Sequence, residues 1–351
     1  MTPSSDPNAP DPSGHPRWRM PAEWETHERC LMAWPTREDL WGPHFGEAKR
    51  EFAATANAIV RFEPLTLIVN PGQADDARRL VSAAVEIVEI PIDDSWVRDS
   101  GPIGVVTPDG QRAGVDFRFN SWGERFLPYD KDAASAEAIL AELGIERIVS
   151  EMVLEGGSLT VDGEGTLITT EQCLLNPNRN PALTREAIES ELKACLGVEK
   201  IIWLRYGHFE DSHTDGHVDG VCTYVRPGVV VAQTCEDPAN PNYRLMAENL
   251  EILRKETDAA GRRLEVIELP HLPYFDLDGE ELMVSYVNFY VANGVVVVPT
   301  ADHPLDAEAL SIVASAFPDR EVVGVPGRIV SYGGGGVHCI TQQVPDYKEA
   351  G

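Results

Sequence analysis

A cysteine near the end of the chain follows four consecutive glycines, in the stretch YGGGGVHCITQQ that runs from Tyr332 to Gln343. A glycine run loses more conformational entropy on folding than other residues do, so it needs a compensating reason. Either the run is a flexible turn between strands, or its bare backbone, including Gly335, lets a ligand approach Cys339 closely. The second interpretation requires that other residues supply chemical partners for the thiol.

A histidine and an aspartate, His217 and Asp219, stand two residues apart between Gly216 and Gly220. On a strand, such residues project from the same face, within a few ångströms of each other. The flanking glycines would allow a ligand or another backbone to come close. A histidine beside an aspartate is also common as a surface or structural pair, so this signal is weak alone.

Two carboxylates stand beside glycines elsewhere: Asp99 in SWVRDSGP and Glu155 in LEGGS. Asp99 could instead form a structural ion pair with Arg98, and Glu155 could be an ordinary carboxylate at a strand end. Together with Cys339 they form a set of chemically matched groups. A cysteine and a histidine permit nucleophilic catalysis, in which the thiolate attacks and the imidazole transfers protons.

The surplus of carboxylates limits the charge that a substrate of this site can carry. Carboxylates raise the pKa of a nearby thiol and would hinder acyl transfer, unless the substrate itself brings positive charge. A guanidinium fits because its planar fork pairs with a carboxylate on each edge, which holds the central carbon in place for attack. Trp96 could cover the face of that cation, and it is equally consistent with a core position.

Repeated elements must position these groups. Apolar residues at i, i+3 and i+4 predict five amphipathic helices, over 46–62, 131–144, 181–197, 242–261 and 304–317, and a weaker one over 73–84. Four β-rich runs with glycine in the turn predict hairpins within 104–117, 158–170, 221–233 and 287–299.

Polar residues recur just before or within successive hairpins. Asp99, Glu155, His217, Asn288 and Cys339 follow one another at intervals of 56, 62, 71 and 51 residues. Repeated units of one type indicate a closed arrangement in which no unit buries its apolar face alone. If five units close around an axis, these residues would meet at one centre. Strand-turn-strand units with polar ends also recur in other mixed α/β proteins.

Composition bounds the class of protein. The chain has 351 residues, 43% hydrophobic and 25% charged, which is typical of a soluble globular protein of one large or two ordinary domains. The first residues are rich in Pro, Ser and Asp and contain no signal-peptide pattern, which predicts a disordered tail over 1–17. Because no apolar run approaches the roughly 20 residues that span a bilayer, we expect no membrane partner and a cytoplasmic location.

The net charge and the spacing of the cysteines limit which partners, metals and disulfides the sequence predicts. A net charge of −28 argues against a nucleic-acid surface and suits a cationic substrate. The six cysteines, at 30, 173, 195, 222, 235 and 339, include no C-x-x-C pair, so their spacing suggests neither a zinc site nor a disulfide framework. The oligomeric state is not indicated, and a homo-oligomer is left open.

Six ordered segments resemble the agmatine deiminase family, relatives of the bacterial peptidyl-arginine deiminases among guanidine-modifying enzymes. They are RMPAEWETHERCLMAWP (19–35), DDSWVRDSGP (93–102), VLEGGS (153–158), LITTEQCLLNPNRNP (167–181), DGHVDGVCTYVRPG (215–228) and YGGGGVHCITQQ (332–343). The resemblance implies a five-bladed α/β-propeller with pseudo-fivefold symmetry, built from ββαβ units. It also implies that residues 18–351 form a single catalytic domain.

The resemblance also implies roles. Cys339 would be the nucleophile, Asp99 and Asp219 would hold the guanidinium nitrogens, and His217 would be the general acid and then the general base. Glu155 would line the same pocket. The implied reaction converts agmatine and water to N-carbamoylputrescine and ammonia, without a metal or an organic cofactor.

The chain departs from the family pattern in one place. In EDSHTDGHVD, His213 stands where an acidic residue is expected to meet the far amine of agmatine, and Glu210 or Asp211 could replace it. Another guanidino compound, such as arginine, is therefore an alternative substrate. Its carboxylate would need an arginine in the pocket, drawn from Arg98, Arg118, Arg179 or Arg205. An amidinotransferase and a non-catalytic guanidine or polyamine binder are further alternatives.

Overall fold

The computed structural model of the protein describes residues 18–270 and 274–346, so the tail predicted over 1–17 lies outside the described residues. The strands are β1 His27–Ala33, β2 Leu65–Val69, β3 Glu86–Glu89, β4 Ile103–Val106, β5 Arg112–Arg118, β6 Glu146–Val153, β7 Leu159–Val161, β8 Thr166–Thr170, β9 Lys200–Leu204, β10 Cys222–Arg226, β11 Val229–Gln233, β12 Glu265–Leu269, β13 Phe275–Leu277, β14 Glu280–Leu282, β15 Tyr290–Ala292, β16 Val295–Thr300, β17 Glu321–Pro326 and β18 Thr341–Pro345.

The helices are α1 Glu38–Trp41, α2 Phe45–Ile59, α3 Ala74–Arg78, α4 Val97–Ser100, α5 Ser121–Glu124, α6 Asp130–Ala133, α7 Ser135–Leu143, α8 Glu171–Leu174, α9 Arg185–Leu196, α10 Asn242–Lys255, α11 Asp306–Ala316 and α12 Arg328–Tyr332. Short 3₁₀ turns cover Gly42–His44, Gly156–Ser158 and Val218–Gly220. In the part of the chain that the structure describes, no helix has the length and apolar character needed to cross a membrane.

Four sheets repeat one pattern, in which an antiparallel pair is followed by a helical crossover and a third, parallel strand. They are β4-β5-β6, β7-β8-β9, β10-β11-β12 and β15-β16-β17. A fifth sheet, β18-β1-β2-β3, pairs the last strand of the chain antiparallel with the first and adds two parallel strands. The fold is therefore mixed α/β with several small sheets, and β13 and β14 form a separate hairpin.

The middle strands are apolar because helices and neighbouring sheets cover both of their faces. Every residue of β8 and β11 is buried, as expected for strands without a solvent face. Helix α9 turns Ile188, Leu192 and Leu196 inward at helical spacing. It begins where the Thr184 side chain accepts a hydrogen bond from a backbone N–H, and ends at Gly197 in the left-handed conformation.

The four predicted hairpins are confirmed as β4-β5, β7-β8, β10-β11 and β15-β16. The helix predicted over 131–144 is instead two helices, α6 and α7. The break occurs where Ser135 Oγ donates to the carbonyls of Ser100 and Asp132, and where the Asp132 carboxylate accepts the backbone N–H groups of Asp93 and Asp94. These tertiary bonds compete with a continuous helix.

Candidate active site

Five polar residues each precede the first strand of an antiparallel pair: Asp99, Glu155, His217, Asn288 and Cys339. Hydrogen bonds between their loops bring them together. The backbone N–H of Arg98 donates to the carbonyl of Cys339 at 3.3 Å, and that of Gly157 donates to Asp99 Oδ1 at 2.9 Å. The Asn288 amide donates to the Asp219 carbonyl at 3.3 Å. The repeat seen in the sequence therefore corresponds to one spatial cluster.

Cys339 lies in the middle of this cluster. Its Sγ is 3.5 Å from Asp219 Oδ2 and 3.4 Å from Asn288 Nδ2. Burial, and then the negative charges of Asp219 and Asp99, raise the pKa of the thiol well above its usual value. As long as no cation occupies the site, the thiol is therefore protonated at neutral pH.

His217 lies between two carboxylates. Its Nδ1 is 3.8 Å from Asp99 Oδ2 and its Nε2 is 3.7 Å from Glu155 Oε2. Both distances exceed a hydrogen bond, and neither ring nitrogen has a hydrogen-bond partner among the described residues. Burial favours the neutral ring, but Asp99, Cys173 and Glu155 outweigh it and raise the pKa of His217 well above its ordinary value. The imidazole is therefore set up to carry a proton.

The prediction that His217 and Asp219 lie on a strand is wrong. His217 precedes the 3₁₀ turn Val218–Gly220, and Asp219 lies within it. The Asp211 carboxylate stabilises the segment that leads into this turn, because it accepts hydrogen bonds from the backbone N–H groups of Gly216, at 3.1 Å, and His217, at 3.2 Å. The two side chains still reach the same centre, because the tight turn replaces the strand alternation that the sequence suggested.

Asp99 is held by neutral donors. Trp122 Nε1 donates to its Oδ2 at 2.9 Å, and Trp122 takes a left-handed backbone conformation, with φ of +54°, in the turn that presents its indole. The alternative of an Asp99–Arg98 pair does not form, because Arg98 Nη1 pairs with Glu23 at 3.2 Å. Burial raises the pKa of Asp99, His217 opposes that rise, and the charges of Asp219 and Glu155 add to it.

Asp219 is held by a chain of charged groups. Its Oδ2 lies 2.8 Å from His338 Nδ1, and His338 Nε2 lies 2.7 Å from Glu23 Oε1. Burial disfavours the ionised form of Asp219, yet His338 outweighs burial and lowers the pKa of this carboxyl. The same arrangement raises the pKa of His338 and lowers that of Glu23 to about 2. We call this the Glu23–His338–Asp219 chain.

Glu155 is fully buried, and one of its two carboxylate oxygens makes a hydrogen bond. Arg179 Nε donates to its Oε1 at 2.6 Å, while its Oε2 has no hydrogen-bond partner in the described parts of the chain. Burial opposes the ionised form, but His217 and Arg179 lower the pKa of Glu155. Arg179 also pairs with Asp215 at 2.7 Å. Arg179 is therefore already paired with carboxylates of the protein itself.

Two glycines leave the centre open. A Cβ at Gly157 would lie 2.6 Å from His217 Nδ1 and 2.9 Å from Asp219 Oδ2. A Cβ at Gly335 would lie 2.5 Å from the Trp96 ring and 3.1 Å from Cys339 Cβ. Since such separations are too short for real side chains, both positions require glycine. Close approach, and not only turn flexibility, therefore explains the glycine run.

A cavity of about 300 Å³ opens beside this centre, and its walls include Cys339, His217 and Asp219. It is acidic, because the carboxylates of Glu210, Asp211, Glu280 and Glu281 also line it. Within the described ranges, no lysine or arginine is among its lining residues. The volume and the charge suit a small cation.

The remaining predicted site residues border the same space. Trp96 and Asp99 line a small neighbouring cavity of about 20 Å³ that also reaches Cys339. His213 lines both cavities, and its ring packs edge-on against Phe126 at a centroid distance of 5.4 Å. Seven of the eight predicted residues therefore line one of these two cavities, whereas Glu155 lines neither because it is fully buried beside His217.

The two proposed substitutes for an acid at position 213 already have partners. The Glu210 carboxylate accepts from Asn242 Nδ2 at 2.8 Å and from the Tyr274 hydroxyl. Asp211 accepts from the backbone N–H groups of Thr214, Gly216 and His217. Both carboxylates still contribute negative charge to the cavity wall.

Sequence reasoning missed the residues that hold the predicted ones in place. His338, Glu23, Trp122 and Cys173 surround the site, and none carries a pattern that marks a function. The available signals were weak: His338 is the neighbour of Cys339, and Glu23 and Cys173 lie within the quoted segments that begin at 19 and 167. Their partners are far away in the chain, so spacing could not identify them.

The fold and the site together define a mixed α/β protein in which a cysteine, a histidine and three carboxylates meet beside an acidic cavity. A sequence model described as Porphyromonas-type peptidyl-arginine deiminase matches residues 19–345. The chain belongs to this family.

Similar proteins agree with this membership over nearly the whole chain. The agmatine deiminase of Pseudomonas aeruginosa (strain LESB58) is 44% identical over 367 aligned residues, which cover 97% of this chain and all of that protein. A solved agmatine deiminase of Enterococcus faecalis is 37% identical, with a TM-score of 0.90 and coverage of 94% and 96%. A solved C. jejuni agmatine deiminase, a cysteine-to-serine variant with substrate bound, is 26% identical, with a TM-score of 0.88 and coverage of 95% and 98%. The resemblance identified from the motifs is confirmed.

Proposed function

We propose that the protein hydrolyses the guanidinium group of agmatine and releases N-carbamoylputrescine and ammonia. The observation that carries the proposal is the position of Cys339, whose Sγ lies 3.5 Å from the Asp219 carboxylate on the wall of an acidic cavity. The agmatine deiminases that resemble this chain support the choice of substrate.

The guanidinium would bind between Asp99 and Asp219, each of which pairs with N–H groups on one edge of the planar cation. The Trp96 ring borders this space and would cover one face of the cation. Because Asp219 and Asp99 both raise the pKa of Cys339, a cation between them cancels the charge that keeps the thiol protonated. The substrate itself would therefore promote loss of the Cys339 thiol proton to solvent and so generate the thiolate that attacks it.

The reaction would follow in two halves. The Cys339 thiolate forms a C–S bond to the guanidinium carbon, and protonated His217 gives its proton to one terminal nitrogen as the C–N bond breaks and ammonia leaves. Water then adds to the amidino-cysteine carbon, and neutral His217 accepts one of its protons. The C–S bond breaks to return the thiolate, and the second proton of that water leaves the hydroxyl for solvent as the C=O bond of the ureido product forms. The ureido product departs with the oxygen of that water.

Arginine is a weaker candidate because its carboxylate would need a cation in the pocket. Of the four arginines considered, Arg98 pairs with Glu23, Arg179 with Glu155 and Asp215, and Arg205 with Glu248. Arg118 does not line the cavity either. An amidinotransferase would use the same cysteine and a different acceptor, and a non-catalytic binder would not need the thiol.

The five similar sheets, and the pairing of the last strand with the first, support a finer description of the fold. In this proposal, the sheets are five blades around one axis, with the site at the centre. Residues 18–351 would then form a single catalytic domain, with 1–17 as a tail. We also propose a cytoplasmic location and a mechanism without metal or organic cofactor.

A direct assay tests the proposed reaction. The protein is incubated separately with agmatine, arginine, guanidinobutyrate and peptidyl-arginine, and ureido product and ammonia are measured. We expect turnover of agmatine, and its loss in Cys339→Ala because covalent catalysis is removed. Turnover of another compound without agmatine would refute the substrate, and full activity of Cys339→Ala would refute the mechanism.

Position 213 tests how the far amine of the substrate is recognised. His213→Glu would add a carboxylate to the cavity wall, and we expect it to lower KM for agmatine several-fold while leaving KM for guanidinobutyrate unchanged or higher, because only agmatine has an amine. His213→Gln is the matched neutral control. Equal changes in KM for both compounds would show that position 213 does not contact the tail.

A further inference from the structure

A second thiol lies beside the site, next to His217 and Glu155. Cys173 is in α8, and its sulfur, a His217 ring nitrogen and a Glu155 carboxylate oxygen all lie within 4.8 Å of one another. Glu155 and Cys173 are 0% exposed and His217 is 3% exposed. The cysteine spacing in the sequence suggested no zinc site, so this grouping is visible only in three dimensions.

Two of these three groups have unused binding capacity. Both His217 nitrogens and Glu155 Oε2 are buried and lack hydrogen-bond partners among the residues that the structure describes. Buried polar atoms without partners are uncommon, because each loses its hydration without compensation. His217 Nε2 and Glu155 Oε2 lie 3.7 Å apart without a hydrogen bond and beside a sulfur, an arrangement that an electron-pair acceptor shared by the three groups would satisfy.

The donor set matches a borderline divalent cation. Nitrogen, sulfur and carboxylate oxygen together are ligands typical of Zn²⁺, which binds N and O at about 2.0–2.2 Å and S at about 2.3 Å. The 3.7 Å between His217 Nε2 and Glu155 Oε2 is within the reach of one ion at those lengths. A thiolate and a carboxylate would also balance the two positive charges of the ion.

Neighbouring groups would orient the ligands. Arg179 holds Glu155 Oε1 at 2.6 Å and leaves Oε2 free. Asp99 faces the opposite ring nitrogen of His217 at 3.8 Å, which is longer than the hydrogen bond of the carboxylate–histidine–metal arrangement at zinc sites but places a carboxylate on the same side of the ring. Since His217 is the member of the three that lines the cavity, an ion would reach the site past its ring.

We propose that Glu155, Cys173 and His217 form an inhibitory Zn²⁺ site. On binding, the ion would displace the Cys173 thiol proton and the Nε2 proton of His217 to solvent. While the metal is bound, that nitrogen cannot carry protons, so turnover stops. The binding of the metal stands on the geometry alone, and its inhibitory effect rests on the role of His217 in the proposed function.

Binding is tested first, without any substrate. Metal-free protein is titrated with Zn²⁺ against a chromophoric chelator, and with Co²⁺ to observe a thiolate-to-cobalt charge-transfer band. We expect one equivalent to bind, with the band present in the parent chain and in Cys339→Ala. Cys173→Ala should lose the band and bind at least about tenfold more weakly, and Cys195→Ala is the matched thiol control.

Three results would overturn the site. They are the absence of one-equivalent binding to the parent chain, loss of the band in Cys339→Ala, and an undiminished band in Cys173→Ala. Cys173→Ser serves as a second variant if alanine destabilises the core, and Cys339→Ala tests the site even if neither folds.

Inhibition is tested separately. If the proposed function holds, Zn²⁺ should inhibit agmatine turnover by the parent chain, and the inhibition constant should rise at least about tenfold in Cys173→Ala, matching the loss in affinity. If agmatine is not a substrate, the chelator and cobalt measurements still decide the site. Equal inhibition of the parent chain and Cys173→Ala would overturn the inhibitory role.

Discussion

Asp99 and Asp219 flank the same thiol, are both about 5% exposed, and have opposite pKa shifts. Asp99 accepts hydrogen bonds from a neutral indole and a neutral backbone N–H, and its pKa is raised. Asp219 accepts from His338, whose charge Glu23 supports, and its pKa is lowered. Burial raises the pKa of both carboxyls and His217 lowers the pKa of both, so the difference between them follows from His338, which is hydrogen-bonded to Asp219 and not to Asp99.

The difference in pKa suggests that the two carboxyls act at different stages of substrate binding. Asp219 is already an anion and can attract the guanidinium, whereas burial and the charges of Asp219 and Glu155 outweigh His217 at Asp99, so Asp99 is stabilised further as an anion when that cation binds. The negative charge of Asp219 also raises the pKa of Cys339 more than that of Asp99 does. The two carboxylates should therefore respond differently to mutation.

Among the variants that test this comparison, Asp219→Asn should have the largest effect on catalysis. It removes charge-assisted hydrogen bonds of about 1.5–3 kcal/mol each from the bound cation, so kcat/KM should fall at least about a hundredfold. The pKa of Cys339 should fall at the same time, because a neighbouring negative charge is lost. Iodoacetamide should therefore alkylate Cys339 faster at pH 8 than in the parent chain.

Mass spectrometry of the alkylated peptide measures that rate, and Asp302→Asn, an exposed position, is the control. Slower alkylation in Asp219→Asn would contradict the electrostatic account of the thiol.

His338→Asn tests the chain behind Asp219. It keeps an N–H donor near the position of Nδ1 but removes the positive charge and the contact with Glu23, so kcat/KM should fall about tenfold to a hundredfold. Since the imidazole lowers the pKa of Asp219, its loss should raise that pKa. In the parent chain Asp99 sets the acid limb of the pH profile of kcat/KM, because its pKa is the higher of the two. In His338→Asn, Asp219 should titrate in the same range, so the limb should steepen and move to higher pH.

A purely structural role for His338 would lower activity without moving the limb. The profile therefore separates electrostatic positioning from simple loss of packing.

Trp122→Phe tests the hydrogen bond that a neutral donor makes to Asp99. It removes the indole donor from Asp99 Oδ2, which should raise the pKa of Asp99 further and weaken guanidinium binding by ~1 kcal/mol, or about fivefold in KM. Trp203→Phe is the matched control, since its indole donates to Glu189 away from the site. An equal change in KM in both variants would contradict a specific role for Trp122.

Asp132→Asn extends the comparison to a carboxyl without proposed chemistry. Like Asp99, Asp132 is buried and accepts neutral backbone N–H groups, and burial raises its pKa to about 7. A raised native pKa stabilises the fold below the unfolded value of 3.8, and that contribution is lost as pH rises to about 7. The parent chain should therefore lose Tm relative to Asp132→Asn across this range.

The differences in Tm are expected to be a few degrees, and Asp130→Asn, an exposed neighbour, should follow the parent chain. A constant difference in Tm between the parent chain and Asp132→Asn from pH 4 to 7 would contradict the shifted pKa.

Local patterns predicted the elements well where local forces determine them. The hairpins were correct because glycine turns between β-branched runs are specified by neighbouring residues, and the buried faces of α9 and α10 follow from apolar spacing. The failures occurred where distant groups compete for the backbone. The Asp211 carboxylate stabilises a turn before Asp219, and contacts of Asp132 and Ser135 divide a predicted helix.

By itself, the sequence determined which reactive side chains are available and where in each repeated unit they stand, because residue type and order are written in it. It also determined the glycines that leave space around Cys339 and Trp96. Only the tertiary structure decided the state of those side chains. Glu23 and His338 are 315 residues apart, and Cys173 reaches His217 from another sheet, so their effects on charge depend on distances that chain order does not specify.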